Sequence, residues 1–295
     1  MKFQTLQMFS FLLVSFVIAF DTGRLTAVSA DEVSAEQLLQ PDNLVAWCIV
    51  PFDASKRTPK QRAEMVQRLG LRRVAYDWRQ EHIAEFEEEI IQYKEHQLEF
   101  FAFWSWHDSI EPLIRRHKIH PQIWSMLPNP KAEDQKDKVY EAAEAMVPLV
   151  RKTSLLGCRL GLYNHGGWAG EPANMVAVCE YLQRHHDAAH LGIVYNFHHG
   201  HEHIDRFEDH LNAMLPHLIC LNINGMASAD VVRGGRNKIL TPGQGEHEAD
   251  MLRVVLKSGY SGPIGILDHR SDRDSEEVLK ENLAGLEEIR ELLSE

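Results

Sequence analysis

The residues of this sequence that could carry chemistry are mostly imidazoles and amides. There are 17 histidines in 295 residues, and His185, His186, His190, His198, His199, His201 and His203 fall in one short stretch. A histidine titrates near neutral pH, so it can give or take a proton, and its neutral ring also ligates transition metals. His185 and His186 close a helical pattern, where a basic ring simply complements the helix dipole, and His190 precedes a strand. His198, His199 and His201 remain, and their spacing matches no HExxH-type motif. Other polar groups follow short apolar runs: Trp106 and His107, then Asn164, His165 and Trp168, Asn196, Asn222 and Asn224, Gln244 and Glu246, and Asp268 and His269.

Amides, carboxylates and imidazoles bond hydroxyl groups, and aromatic faces cover the apolar side of a sugar ring. Trp106, His107, Asn164, Trp168, Asn196, Asn222, Asn224 and Gln244 are therefore expected to bind a small carbohydrate. His165, His199 and His269 are expected to move protons, with Asp268 orienting one of them. A divalent metal (Zn, Mn or Mg), where one is used, would take His199, Glu246 and Asp268. There is no GxSxG elbow, and no cysteine sits beside a candidate base. The turn Gly243-Gln244-Gly245 is weak as a phosphate motif and reads better as a tight turn before a helix; Arg233, Arg236 and Lys238 are the only local cations. Cys48, Cys158, Cys179 and Cys220 are scattered and read as buried free thiols.

These residues need a scaffold that delivers them to one face. From Asn43 onward, apolar runs alternate with amphipathic segments. Strands are predicted at Leu44–Val50, Arg72–Tyr76, Leu98–Trp104, Cys158–Tyr163, Leu191–Tyr195, Leu218–Leu221, Lys238–Leu240 and Pro263–Leu267. Helices are predicted at Pro59–Leu69 behind the cap Thr58, and at Glu81–His96, Ile110–Leu127 and Glu133–Lys152. Further helices are predicted at Glu171–His185, His203–Leu215, Glu246–Ser258 and Ser275–Leu293, the last with the apolar stripe Leu279, Leu283, Leu286 and Ile289. Eight strands alternating with helices point to a single-domain (β/α)₈ TIM barrel, whose site lies at the C-terminal ends of the strands. An open doubly wound sheet would bring a Gly-rich loop after the first strand, where this chain has Pro51-Phe52-Asp53.

Residues 1–30 read as an export signal. Lys2 supplies the basic start, Met8–Phe20 is an apolar run shorter than a comfortable span, and Val28 and Ala30 give a small-residue cleavage site. The barrel would then occupy residues 31–295, outside the cytoplasm and free of the membrane after cleavage; an uncleaved anchor is the alternative. A net charge of −12 argues against nucleic acid as a partner.

Several strand ends also carry a resemblance. Leu162-Tyr163-Asn164-His165, Asn196-Phe197-His198-His199, Leu221-Asn222-Ile223-Asn224, Pro242-Gly243-Gln244-Gly245-Glu246, and Gly259-Tyr260-Ser261-Gly262-Pro263 leading into Ile264–His269 resemble the xylose isomerase-like sugar isomerase/epimerase superfamily. That resemblance implies a divalent metal held by two Glu, an Asp and a His, which polarises a hydroxy-ketone while carboxylates move a proton between carbons. Here the first Glu position is Tyr163, the Asp position Asn196, the His position Asn222 and the last Glu position Leu267, with Asp268 beside it; His199 matches the His of the family's Asp-x-x-His. Neutral amides and a phenol are poor ligands for a hard cation. Three readings follow: an isomerase, epimerase or keto-sugar lyase working through histidine, a catalytically inactive carbohydrate-binding barrel, and a metal enzyme built on the His-rich loop. The superfamily's nuclease branch would need a basic groove, which the acidic charge opposes.

Overall fold

The structure, a computed structural model, describes residues 33–234 and 236–294. The expected export signal at 1–30 lies outside the described residues. Among the described residues no helix is long and apolar enough to cross a membrane.

Eight parallel strands close into a barrel in chain order. They are β1 (Leu44–Trp47), β2 (Arg73–Asp77), β3 (Glu99–Trp104), β4 (Gln122–Ser125), β5 (Leu160–Tyr163), β6 (Leu191–Asn196), β7 (Leu218–Ile223) and β8 (Ile264–Leu267). Closure runs through β1 and β8, from Leu44 opposite Ile264 to Trp47 opposite Leu267. Alternate residues of a strand face opposite ways. On β1, Leu44 and Ala46 pack outward under the helices, while Val45 and Trp47 join Phe101, Trp124, Tyr163 and Val194 inside the barrel. Gly161 of β5 lets the bulky Trp124 fit: a Cβ there would lie 3.1 Å from Cδ1 of Trp124 and 2.5 Å from Cγ2 of Val194.

The expected barrel is present, but one expected strand is absent from it and one strand forms where a helix was expected. The predicted helix Ile110–Leu127 ends at His117, where Lys118 turns left-handed at φ 50°, and the chain then enters β4. Pro121 is the reason: it lacks an N–H and pushes His120 out of the helical region. Conversely, Lys238–Leu240 is no barrel strand; Leu240 makes one antiparallel bridge to Gly225. The strand before Tyr163 is therefore the fifth, and Gln244 and Glu246 do not end a strand.

The helices follow their caps. Thr58 accepts from the Gln61 N–H and starts Pro59–Arg68 as a capping box, and Asp134 caps Gln135–Leu155. The last helix, Ser275–Ser294, buries Leu279, Leu286 and Ile289 of the expected stripe and half-buries Leu283.

Candidate functional site

The C-terminal ends of the strands enclose a cavity of about 300 Å³. It is lined by Trp47, Cys48 and Phe52 from the β1 end, Asp77 and Arg79 from the β2 end, and Trp104 from the β3 end. Tyr163 and His165 come from the β5 end, His198 and His199 from the β6 end, Lys238 from the loop after β7, and His269 from the β8 end.

Its floor is aromatic. The Trp47 ring centroid lies 6.2 Å from those of Trp104 and Tyr163, and Trp104 and Tyr163 are 4.5 Å apart. One wall is a run of imidazoles: His165 to His199 at 4.3 Å, His198 to His199 at 3.7 Å and His198 to His269 at 5.1 Å between centroids. Burial, then repulsion from neighbouring histidines and Lys238, pushes His198 and His199 far below the ordinary value. Burial, then Arg79 and Lys238, lowers His269 to about 4, and burial with Lys238 lowers His165. At neutral pH these rings are neutral, able to donate through one nitrogen and accept through the other.

Opposite in character is Asp77. Its carboxyl is buried, and neither oxygen has a hydrogen-bond partner. Arg79 comes only to 3.9 Å. Burial raises Asp77 to about 7 despite Arg79, so it is half ionised near neutrality. Cys48, at φ 62°, lies beside it, and burial followed by the charges of Asp77 and Asp268 pushes its thiol well up, so it is no nucleophile.

Of the residues expected from sequence, His165, His199 and His269 do line one cavity. Asp268 orients none of them: its carboxylate accepts from the Ser275 hydroxyl at 2.6 Å and the Arg270 N–H at 3.3 Å. Asn164 and Asn196 are buried ties between strands. Asn164 donates to the Asn196 carbonyl at 3.1 Å and accepts from its N–H at 2.6 Å, while the Asn196 side chain donates to the Tyr163 hydroxyl. Asn222 is packed against Gly265, and Asn224 donates to the Gly225 carbonyl at 2.8 Å. Trp106 donates to Asp108 at 2.8 Å, His107 packs edge-on against Trp78, and Trp168 donates to Gln135 at 2.9 Å; none lines the cavity. Gln244 and Glu246 are exposed on the turn before a helix. That turn's Gly243 and Gly245 N–H groups bond the Glu248 carboxylate at 3.0 and 2.8 Å, which leaves them no free donors for a phosphate.

Asp77, Arg79 and Trp104 line the cavity although none of them was among the residues expected from sequence. The available signal was a carboxylate set directly behind the buried run Val74–Tyr76.

The metal set fares worse. His199 lines the cavity, Asp268 is turned to Ser275, and Glu246 points to solvent, so the three do not converge. Among the described residues no group of three or more His, Cys, Asp or Glu side chains is placed to hold a metal ion. The positions implied by the family resemblance fit no better. Burial keeps the Tyr163 phenol protonated, Asn196 and Asn222 are neutral, and Leu267 has no donor. The positions from the resemblance lack the anionic oxygens a hard dication needs, and the carboxylates of the other set are not brought together.

No family profile and no curated protein matches the sequence. Solved structures do match in fold. The chain is similar to the IolI protein solved with a zinc atom, at 12% identity and a TM-score of 0.65 over 85% of this chain and 99% of that one. It is similar to a probable 3-DHS dehydratase, AsbF, from Bacillus anthracis, at 14% identity and a TM-score of 0.64 over 83% and 98%. It is also similar to a 3-keto-D-glucoside 4-epimerase, YcjR, from E. coli, at 12% identity and a TM-score of 0.61 over 84% and 99%. In fold, this chain is a closed (β/α)₈ barrel similar to those three proteins, and its strand ends carry a histidine, carboxyl and aromatic cavity.

Proposed function

We propose that the cavity binds a monosaccharide-sized ketose or keto-sugar and exchanges a proton on a carbon beside its carbonyl, as an isomerase or epimerase does. Asp77 carries this reading: a buried carboxyl with two unpartnered oxygens, poised at about 7, lining the cavity at the active end of the barrel. A base poised near the working pH both takes a proton and returns it. Neutral His199 would donate a hydrogen bond to the carbonyl oxygen as charge develops there. Trp47 and Trp104 offer faces to the apolar side of the ring. A cavity of about 300 Å³ is at the small end for ligand sites, which suits one sugar unit. Solved structures of similar fold include a 3-keto-D-glucoside 4-epimerase and a D-psicose 3-epimerase, which is in keeping with this chemistry.

The test is deuterium exchange in heavy water, read by NMR over a panel of ketoses and keto-sugars. A true substrate gains solvent deuterium at one carbon. Asp77→Asn lowers that rate by about 10²–10⁴-fold. The rate climbs as pH rises through about 7, following ionisation of Asp77. Sugar binding with no exchange at any pH sinks the catalytic reading. It favours instead an inactive carbohydrate-binding barrel, for which the replaced ligand positions Tyr163, Asn196, Asn222 and Leu267 speak. The apolar run Met8–Phe20 further suggests that the protein works after export.

A further inference from the structure

The cavity is basic in a protein that is not. Against a net charge of −12 for the chain, its lining holds two permanent cations, Arg79 and Lys238, four imidazoles, and the single carboxyl Asp77. Several cations elsewhere have close partners: Arg57 meets Asp53 at 2.8 Å, Arg62 meets Glu89 at 2.6 Å and Arg233 meets Glu202 at 2.8 Å. Arg79 reaches Asp77 only at 3.9 Å and lies over the Phe52 ring at 5.3 Å. Lys238 makes no ion pair among the described residues.

Lys238 is also held in place. The Leu240 bridge to Gly225 anchors its loop, and its carbonyl lies 2.9 Å from the His201 ring. Its charge reaches across the whole cavity, since it acts on His165, His198, His199 and His269 alike. Lys238 is the permanent cation common to all four rings, and Arg79 acts with it on His269. A cation that lines a hollow and has no ion-pair partner favours an anion within it.

We propose that the occupant of this cavity carries an anionic group, a carboxylate or a phosphate on a monosaccharide-sized frame, held by Lys238 and Arg79. This rests on the cavity being the carbohydrate site, and it narrows the substrate to sugar acids or sugar phosphates. Neutral imidazoles of His165 and His269 add N–H donors to the anion without charge of their own.

The experiment is calorimetric titration of the full chain with D-glucuronate, D-glucose 6-phosphate, D-glucose, D-fructose, malonate and inorganic phosphate. One of the two anionic sugars is expected to bind at least about tenfold tighter than D-glucose, as hydrogen bonds to a charged group allow. That advantage should shrink with added salt and vanish in Lys238→Met. Lys238 is exposed, so the variant should fold, and its melting curve checks this. Which sugar wins distinguishes a carboxylate from a phosphate. Equal binding of neutral and anionic sugars, unchanged in Lys238→Met, overturns the anionic proposal and leaves the carbohydrate reading standing. Binding of malonate or phosphate that depends on Lys238, with no sugar bound, supports the anion site and overturns the carbohydrate reading. No binding by any of the six overturns both.

Discussion

The mouth of the barrel has two sides that treat their charges in opposite ways. On the β8–β1 side, the carboxylates of Asp53, Asp268 and Asp274 are all bonded. Asp53 accepts from the Ser55 and Ser275 N–H groups at 3.1 Å each and from Arg57 Nη1 at 2.8 Å. Arg57 continues to both oxygens of Asp274 at 2.9 Å. Asp268 is bonded to Ser275, so the loop after β1 and the start of the last helix are drawn together. On the cavity side, Asp77 has no hydrogen-bond partner, His198 Nδ1 has none, and Lys238 has no counter-ion among the described residues. Burial raises both Asp77, to about 7, and Asp268, to about 6; the Ser275 hydroxyl and the Arg270 N–H pull Asp268 back, while Asp77 is held down by Arg79 and only loosely by the backbone at Asp77 and Val50. A buried polar group without a partner costs stability. The bonded side thus works as a clamp, and the unbonded side keeps its groups available to a ligand.

Removing the clamp should have the largest effect on stability. Asp53→Ala takes one of its carboxylate partners from the mostly buried Arg57 and frees the backbone N–H groups of Ser55, Arg57 and Ser275, which should cost about 3 kcal/mol in a urea melt. An unchanged melt would mean that this side is not a clamp. Asp77→Asn should act the other way. Folded Asp77 protonates at about 7 against an ordinary 3.8, so between those values the folded chain holds a proton that the unfolded chain has released. Stability from this group therefore falls as pH rises from 3.8 to about 7 and is level above. The variant should gain about 2 kcal/mol at pH 8 over wild type and little at pH 4, while losing proton exchange. A loss of stability at pH 8 would place Asp77 with the bonded side. Smallest is Ser275→Ala, which removes one bond to Asp268 and should cost about 1.5 kcal/mol, with ligand affinity little changed.

Much of the barrel was legible in the residues. Seven of its strands follow from apolar runs bounded by turn residues, and the caps Thr58 and Asp134 sit where their helices begin. The count of eight was reached with one wrong member. Gln122–Ser125 is short and follows a helical pattern closely, so its Pro121 went unused, while Ile239 and Leu240 looked like a strand in a loop. The site was less legible. His165, His199 and His269 were found because an imidazole behind a strand stands out in sequence. Asn164, Asn196 and Asn222 follow strands equally well, yet their amides point into neighbouring strands.

By itself, then, the sequence determined the alternation of strand and helix, the parallel barrel and the end at which polar groups collect, because hydrophobic period and helix caps are local properties. Only the tertiary structure decided which polar groups are bonded and which are left open. Asp77 closes β2 and Asp268 directly follows β8, the same residue type at neighbouring levels of the barrel mouth, and what separates them is a serine seven residues beyond Asp268, brought back by the first turn of the last helix. The desolvation that sets Asp77, and the reach of the Lys238 charge to His199, depend on neighbours from other strands. Such neighbours exist only once the barrel has closed.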